Sequence, residues 1–192
     1  HNFFANSLIK TGLVKGWICE TRESFIPVVP NGITSNQEKL FVNHFALRER
    51  VENEFFNLKE VYECRKMNVT LDELNSEATV RFIRELEPNL VLSYGCHKLN
   101  EELINNSKSK FWNTHGGLSP RYRGAITHFW PSYFLEPQMT GITLHETTSK
   151  IDGGDIIFQT VPEMVSGDGL HMLAARSVLT YTELLKKKLM KL

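Results

Sequence analysis

An α/β domain built on an open, mostly parallel sheet with helices on both faces is the architecture this sequence predicts. Two observations carry the expectation. Short apolar runs such as Leu90-Val91-Leu92-Ser93-Tyr94-Gly95 alternate with longer amphipathic stretches, the pattern of strands joined by crossover helices. The 192 residues contain no internal repeat, low-complexity tract or linker, and suffice for one domain with a sizeable core. Residues 1–192 are therefore taken as a single unit.

Taken in order, Phe3, Phe4, Leu8 and Ile9 recur at helical spacing, with Gly12 as a stop. The chain opens directly in this helix with no Met ahead of His1, so a first strand is expected to be missing from the N-terminal side. Val14 to Cys19 reads as a strand, and residues 21–37, with Pro27, Pro30 and Gly32, as a loop. Leu40, Phe41, Phe45, Leu47, Val51 and Phe55, set among charges, predict a long helix from Glu38 to about Asn57. Val61 to Val69 is a weaker strand with a turn. Asn75 or Ser76 can cap a helix over Glu77–Glu87, ended by Pro88. Strands follow at Leu90–Gly95 and Lys110–Thr114, separated by a short helix near Glu101–Asn105. Ala125–Phe134 reads as a helix disturbed by Pro131, Thr140–Thr147 and Ile156–Val161 as strands, and Gly169–Leu192 as a last helix.

Composition narrows the function. Hydrophobic residues at 41% and charged residues at 23% are ordinary for a soluble globular protein. Lys+Arg and Asp+Glu are balanced at 22 each, so no nucleic-acid partner is expected, beyond a local basic patch at Arg121 and Arg123. Three scattered cysteines match neither a disulfide framework nor a metal-ligand spacing. With no spanning apolar run and no signal segment, a cytoplasmic protein without membrane contact is the expectation.

Two segments can carry chemistry. Asn113-Thr114-His115 ends a predicted strand, where residues two apart point to one face and where ligands of open α/β sheets bind. An amide there can stabilise an oxyanion and an imidazole can manage a proton. Alone, the pattern equally describes a histidine satisfied by backbone. In Ile151-Asp152-Gly153-Gly154-Asp155-Ile156-Ile157, two glycines allow a sharp bend that could hold a carboxylate against an imidazole or a water. Alone, this segment is also an ordinary turn. Among the remaining histidines, His44, His97, His128 and His171 are expected to be structural or superficial. His145 stands apart because its strand leads into the Asp152 loop.

Asn113-Thr114-His115-Gly116-Gly117-Leu118-Ser119-Pro120-Arg121-Tyr122-Arg123-Gly124, then Thr140–His145, then Ile151–Ile157, resemble in order and spacing the signature of the folate-dependent formyltransferases. The resemblance is close over Leu90 to about Gln159. It implies a Rossmann-like fold, catalytic residues Asn113, His115 and Asp152, N10-formyltetrahydrofolate as formyl donor and no metal. The donor's pterin is expected near Val91, Leu92, Ser93, Tyr94 and Gly95 and near Thr148, Ser149, Lys150 and Ile151. The acceptor amine is expected beside Gly116, Gly117, Arg121, Tyr122 and Arg123. Gly116 after the histidine and Arg121-Tyr122-Arg123 look more like the branches acting on sugar nucleotides and tRNA, and the missing basic surface disfavours tRNA. A nucleotide-linked amino sugar is therefore the expected acceptor. Glycinamide ribonucleotide, hydrolysis of the donor, and binding without reaction are the alternatives, and a homodimer is compatible with these features.

Overall fold

In the computed structural model, which describes residues 1–21, 27–56 and 63–192, the strands form two sheets. In the first, β1 (Gly16–Glu20) pairs parallel with β2 (Arg65–Val69). The second has the order β3 (Leu90–Tyr94), β4 (Lys110–His115), β5 (Ile142–Glu146), β6 (Ile156–Thr160). Its first pair is parallel and the following two are antiparallel. The predicted α/β class stands, with the parallel arrangement confined to β1–β2 and β3–β4. The loop joining β5 to β6 carries no helix, and a connection of that kind returns the chain antiparallel.

Helices α1 (Asn2–Ile9), α2 (Ser35–Phe55), α3 (Glu77–Leu86), α4 (Glu101–Asn105), α5 (Trp130–Tyr133) and α6 (Leu170–Leu189), with a 3-10 turn at Pro137–Met139, complete the described elements. Neighbouring residues of β4 point to opposite faces, and each face has its own core. Trp112 packs with Phe4 and Leu8 of α1, Ile142 and Leu144 of β5, and Tyr181 and Leu185 of α6. Phe111 packs with Val80 and Ile83 of α3 and Leu103 of α4. Helices on both faces follow directly.

Local chemistry fixes several boundaries. Ser76, not Asn75, caps α3, its Oγ accepting from Thr79 N–H. Asn75 instead donates to the Lys98 carbonyl and accepts from Asn100 N–H, while Asn100 caps α4. Helix α2 starts three residues before the predicted Glu38, because Thr34 and Gln37 form a reciprocal capping box. The predicted loop at 21–37 and strand at Val61–Val69 fall partly on residues 22–26 and 61–62, outside the described residues.

The helix expected over Ala125–Phe134 is reduced to Trp130–Tyr133. Gly124 and Ile126 hold positive φ of 90° and 57°, conformations that a right-handed helix cannot contain. The segment turns instead, and Thr127 Oγ1 donates to the Gly116 carbonyl at 2.7 Å.

Candidate active site

Asn113 and His115 leave the same face of β4, opposite Thr114 and Trp112, which face α6. On the antiparallel neighbour, His145 stands opposite Asn113 and Thr143 opposite His115. Four polar side chains from two strands therefore share one surface. A register irregularity at Leu144/His145 interrupts the β5–β6 ladder beside this surface, a feature common next to functional sites.

Asp152 reaches the same surface from the loop between β5 and β6. Its Oδ1 lies 3.4 Å from Asn113 Nδ2 and 3.5 Å from His145 Nε2. Its Oδ2 accepts from Gly124 N–H at 2.8 Å and lies 3.4 Å from His115 Nδ1. Asp152 adopts a φ of 46°, a left-handed conformation costly for a residue with a side chain, and these partners hold it there. Gly154 allows the loop to press against β5, since a Cβ would stand 1.9 Å from the Glu146 carbonyl oxygen.

Fixed acceptors set the protons. His115 Nε2 lies 2.6 Å from the Tyr122 carbonyl and His145 Nδ1 lies 2.7 Å from the Glu146 carbonyl. A carbonyl only accepts, so each of these nitrogens carries hydrogen, and the opposite edge of each ring faces Asp152. Burial works against charge on both partners of the His145–Asp152 pair, yet their bond outweighs it. His145 lies above its ordinary value, assisted by Glu146, and Asp152 below its ordinary value, assisted by Gly124 N–H and His115. The carboxylate is therefore charged at neutral pH.

A second layer fixes the turn after β4. Gly117 tolerates no side chain: a Cβ would stand 2.4 Å from the Tyr122 carbonyl and 2.8 Å from His115 Nε2. Thr143 Oγ1 donates to the Gly117 carbonyl and accepts from Ser119 N–H, and Gln159 Nε2 donates to both Thr143 Oγ1 and the Ser119 carbonyl. The Ser119–Pro120 peptide is cis.

The predicted catalytic residues thus come together, and His145 joins them as a fourth member. Ser93 meets the site through Asn113, donating to its Oδ1 at 2.8 Å, which leaves the amide nitrogen aimed at Asp152 and His145. Val91 packs on the α3–α4 core while Leu92 and Tyr94 pack on the α1–α6 core, so those side chains are committed to the interior. Burial raises the Tyr94 hydroxyl to about 12. Gly95 has a φ of 65° and lies against the His1 ring. Thr148, Ser149, Lys150 and Ile151 form an exposed loop ahead of Asp152.

Of the expected acceptor residues, Arg121 and Tyr122 are both engaged by Glu136. Tyr122 serves the site by its backbone carbonyl instead. Arg123 is exposed and precedes Gly124, and among the described residues it has no ion pair. On the other side of Gly116, a cleft of about 750 Å³ is lined by His44, Arg48, Glu52, His128 and His171. Burial, then the neighbouring His115, pushes His128 down to about 4, and its Nε2 has no hydrogen-bond partner. Among the described residues, no group of three or more His, Cys, Asp or Glu could hold a metal ion, and no helix is long and apolar enough to cross a membrane.

Comparison with known proteins identifies the family and the fold. The formyl transferase family matches residues 11–187. The bifunctional polymyxin resistance protein ArnA of Wigglesworthia glossinidia brevipalpis is 34% identical over 87 residues, which are 45% of this chain and 13% of that much longer protein. A phosphoribosylglycinamide formyltransferase from Anaplasma phagocytophilum superposes with a TM-score of 0.68 at 19% identity, covering 97% of this chain and 79% of its own. A sugar N-formyltransferase from Shewanella sp. FDAARGOS_354 gives 0.54 at 22% identity, covering 91% and 67%.

Proposed function

The chain belongs to the formyl transferase family, and from that premise we propose that it transfers a formyl group from N10-formyltetrahydrofolate to the amine of a nucleotide-linked amino sugar. The observation that carries the reading is the convergence of Asn113, His115 and His145 on one charged carboxylate, Asp152.

The donor supplies an electrophilic carbonyl carbon and a nitrogen leaving group. The exposed 148–151 loop, with the Ile151 side chain 69% exposed beside Asp152, fits a flat heterocycle held by backbone groups. This chain's residues then do three things. Asn113 Nδ2 offers N–H groups to negative charge developing on an oxygen. Its present contacts of 3.2 and 3.4 Å are long enough to be exchanged for a shorter one. His115 stabilises that charge as the imidazolium, in which Nδ1 on the edge facing Asp152 carries a second hydrogen beside the Nε2–H committed to Tyr122. Asp152, ionised and held by Gly124 N–H, accepts the proton that an attacking amine must lose and hands it to the departing nitrogen.

The acceptor follows from the surroundings of Gly116. Its missing side chain keeps the turn open toward His128, and the cleft beyond is within the size range of small-molecule sites. Exposed Arg123, next to the Gly124 N–H that bonds Asp152, suits a phosphate-bearing acceptor. The fold neighbours include enzymes named for sugars and for phosphoribosylglycinamide, so the acceptor rests on the site. Incubation of the purified protein with N10-formyltetrahydrofolate and a panel of amino-sugar nucleotides should give an N-formyl product. Turnover of glycinamide ribonucleotide alone would overturn the acceptor, and donor breakdown independent of any amine would overturn transfer.

A further inference from the structure

The groups gathered around Asp152 leave one buried polar atom beside the site unemployed. His128 Nε2 is enclosed and bonds no described residue. A buried polar atom in that condition is costly, so it calls for a physical reason. The rest of the ring is fixed. A hydrogen bond with the Gly141 backbone favours added hydrogen on the ring, as a carbonyl partner does, and it falls to Nδ1 because Nε2 is unbonded. Burial, then the neighbouring His115, keeps the ring neutral near pH 7. A neutral ring with hydrogen on Nδ1 presents Nε2 as a bare lone pair, an acceptor without a donor.

That lone pair is aimed at the cleft. Nε2 is the ring atom nearest to the space a Gly116 side chain would fill, 3.3 Å from its Cβ, and both residues line the cleft. Gly116 is not among the residues with positive φ, so its backbone does not call for glycine. What the missing side chain provides is passage from the cleft to Nε2. The polar neighbours are engaged elsewhere, which leaves a ligand as the source of the donor. Thr127 Oγ1 donates to the Gly116 carbonyl, Arg48 Nε donates to Glu52, and the His44 and His171 rings pack on each other at 4.5 Å. Arg48 also disfavours positive charge on the His128 ring, so the donor suited to Nε2 is uncharged, a hydroxyl.

We propose that His128 Nε2 accepts a hydrogen bond from a sugar hydroxyl of the acceptor, and that Gly116 is the opening through which this hydroxyl reaches it. The assignment rests on the amino-sugar reading of the acceptor. It divides the labour across the turn after β4: Asp152 on one side handles the amine, and His128 on the other selects the sugar that carries it. One neutral hydrogen bond of this kind is worth roughly three- to tenfold in affinity.

Steady-state kinetics tests it. His128→Phe keeps a flat ring and removes the acceptor atom, so KM for the amino-sugar nucleotide should rise roughly three- to tenfold, with kcat and the KM for N10-formyltetrahydrofolate little changed. Gly116→Ala should raise the same KM by crowding Nε2, and the double variant should be no worse than the more affected single one. His128→Gln, whose amide oxygen can accept in place of Nε2, should recover most of the loss. Among acceptors deoxygenated at single sugar positions, one should give the same KM with the parent and with His128→Phe. Turnover with an unchanged KM in His128→Phe, or a loss that persists with every deoxygenated sugar, would overturn the assignment and leave formyl transfer standing. A parent protein that turns over no amino-sugar nucleotide would overturn it together with the reading it rests on. If the variants do not fold, nitrogen NMR of the histidine-labelled parent decides the point. The His128 Nε2 signal should move upfield when the acceptor is added without formyl donor, and an unmoved signal would refute the hydrogen bond.

Discussion

The surface shared by β4 and β5 and the space between β1 and β3 are both made from short strands covered by helices, yet they are finished differently. At β4 and β5, Ile142, Leu144 and Thr143 are wholly buried, and Asn113, His115, Thr143, His145 and Asp152 are bonded to one another or to backbone. At β1 and β3 the apolar side chains are half-buried and the strand edges face a cavity. The lesson is that Asn113, His115 and Asp152 stand against a closely bonded second layer, whereas the layer of β1 and β3 is covered less completely. Substitutions that act on one region and spare the other test this contrast.

Apart from loss of Asp152 itself, the largest expected effect lies at Asn113. Asn113→Ala should lower kcat roughly a hundred- to a thousand-fold, the usual cost of an oxyanion donor, with little change in thermal midpoint. A loss confined to KM in steady-state kinetics would assign Asn113 to substrate binding instead.

Next come matched truncations in the two regions. Leu144→Ala should cost about 2–5 kcal/mol in denaturant unfolding, because its side chain is fully enclosed. Leu92→Ala, beside that cavity, should cost clearly less, on the order of 1 kcal/mol, because less surface returns to water. Equal costs would erase the contrast.

These two regions also differ in what the sequence made legible. Alternation puts Asn113 and His115 on one face, and His145 stands out in the sequence because its strand leads into the Asp152 loop; the structure sets it opposite Asn113. The short helix expected near Glu101–Asn105 stands at those bounds as α4. The capping box at Thr34 was equally visible and went unused. Other features depend on the folded chain and could not be read. Tyr122 acts through its carbonyl, Gly124 through its N–H, and Gly117 through a Cβ that would collide, and a side-chain pattern encodes none of these. The helix expected over Ala125–Phe134 is shorter than its sequence suggests because positive φ at Gly124 and Ile126 turns the chain before Trp130.

A smaller effect sharpens the role of His145. His145→Asn should lower kcat by roughly ten- to a hundredfold by releasing Asp152 from one of its two Oδ1 partners. The acid limb of the pH–rate profile should then move upward, since Asp152 loses a partner that holds it below its ordinary value. In the parent protein the raised value of His145 means that its stabilising bond is fully present below about pH 6.5 and fades as pH rises through the folded value. An unmoved acid limb in the variant would make His145 a packing residue.

A further effect concerns His128. Its folded value of about 4 lies below that of an exposed histidine, so its contribution to stability is complete above about pH 6.5 and is lost as pH falls toward 4. Chemical denaturation across that window should show His128→Gln flattening the slope. An unchanged slope would mean that another group governs the acid side.

The most direct test of the account is tetrahydrofolate release from N10-formyltetrahydrofolate by the parent protein and by Asp152→Asn, with and without an amino-sugar nucleotide. Release by the parent should require the amine and match N-formyl product one for one, and Asp152→Asn should slow it roughly a hundred- to ten-thousand-fold. Equal rates in the two proteins, or release that ignores the amine, would contradict a carboxylate-centred formyl transfer.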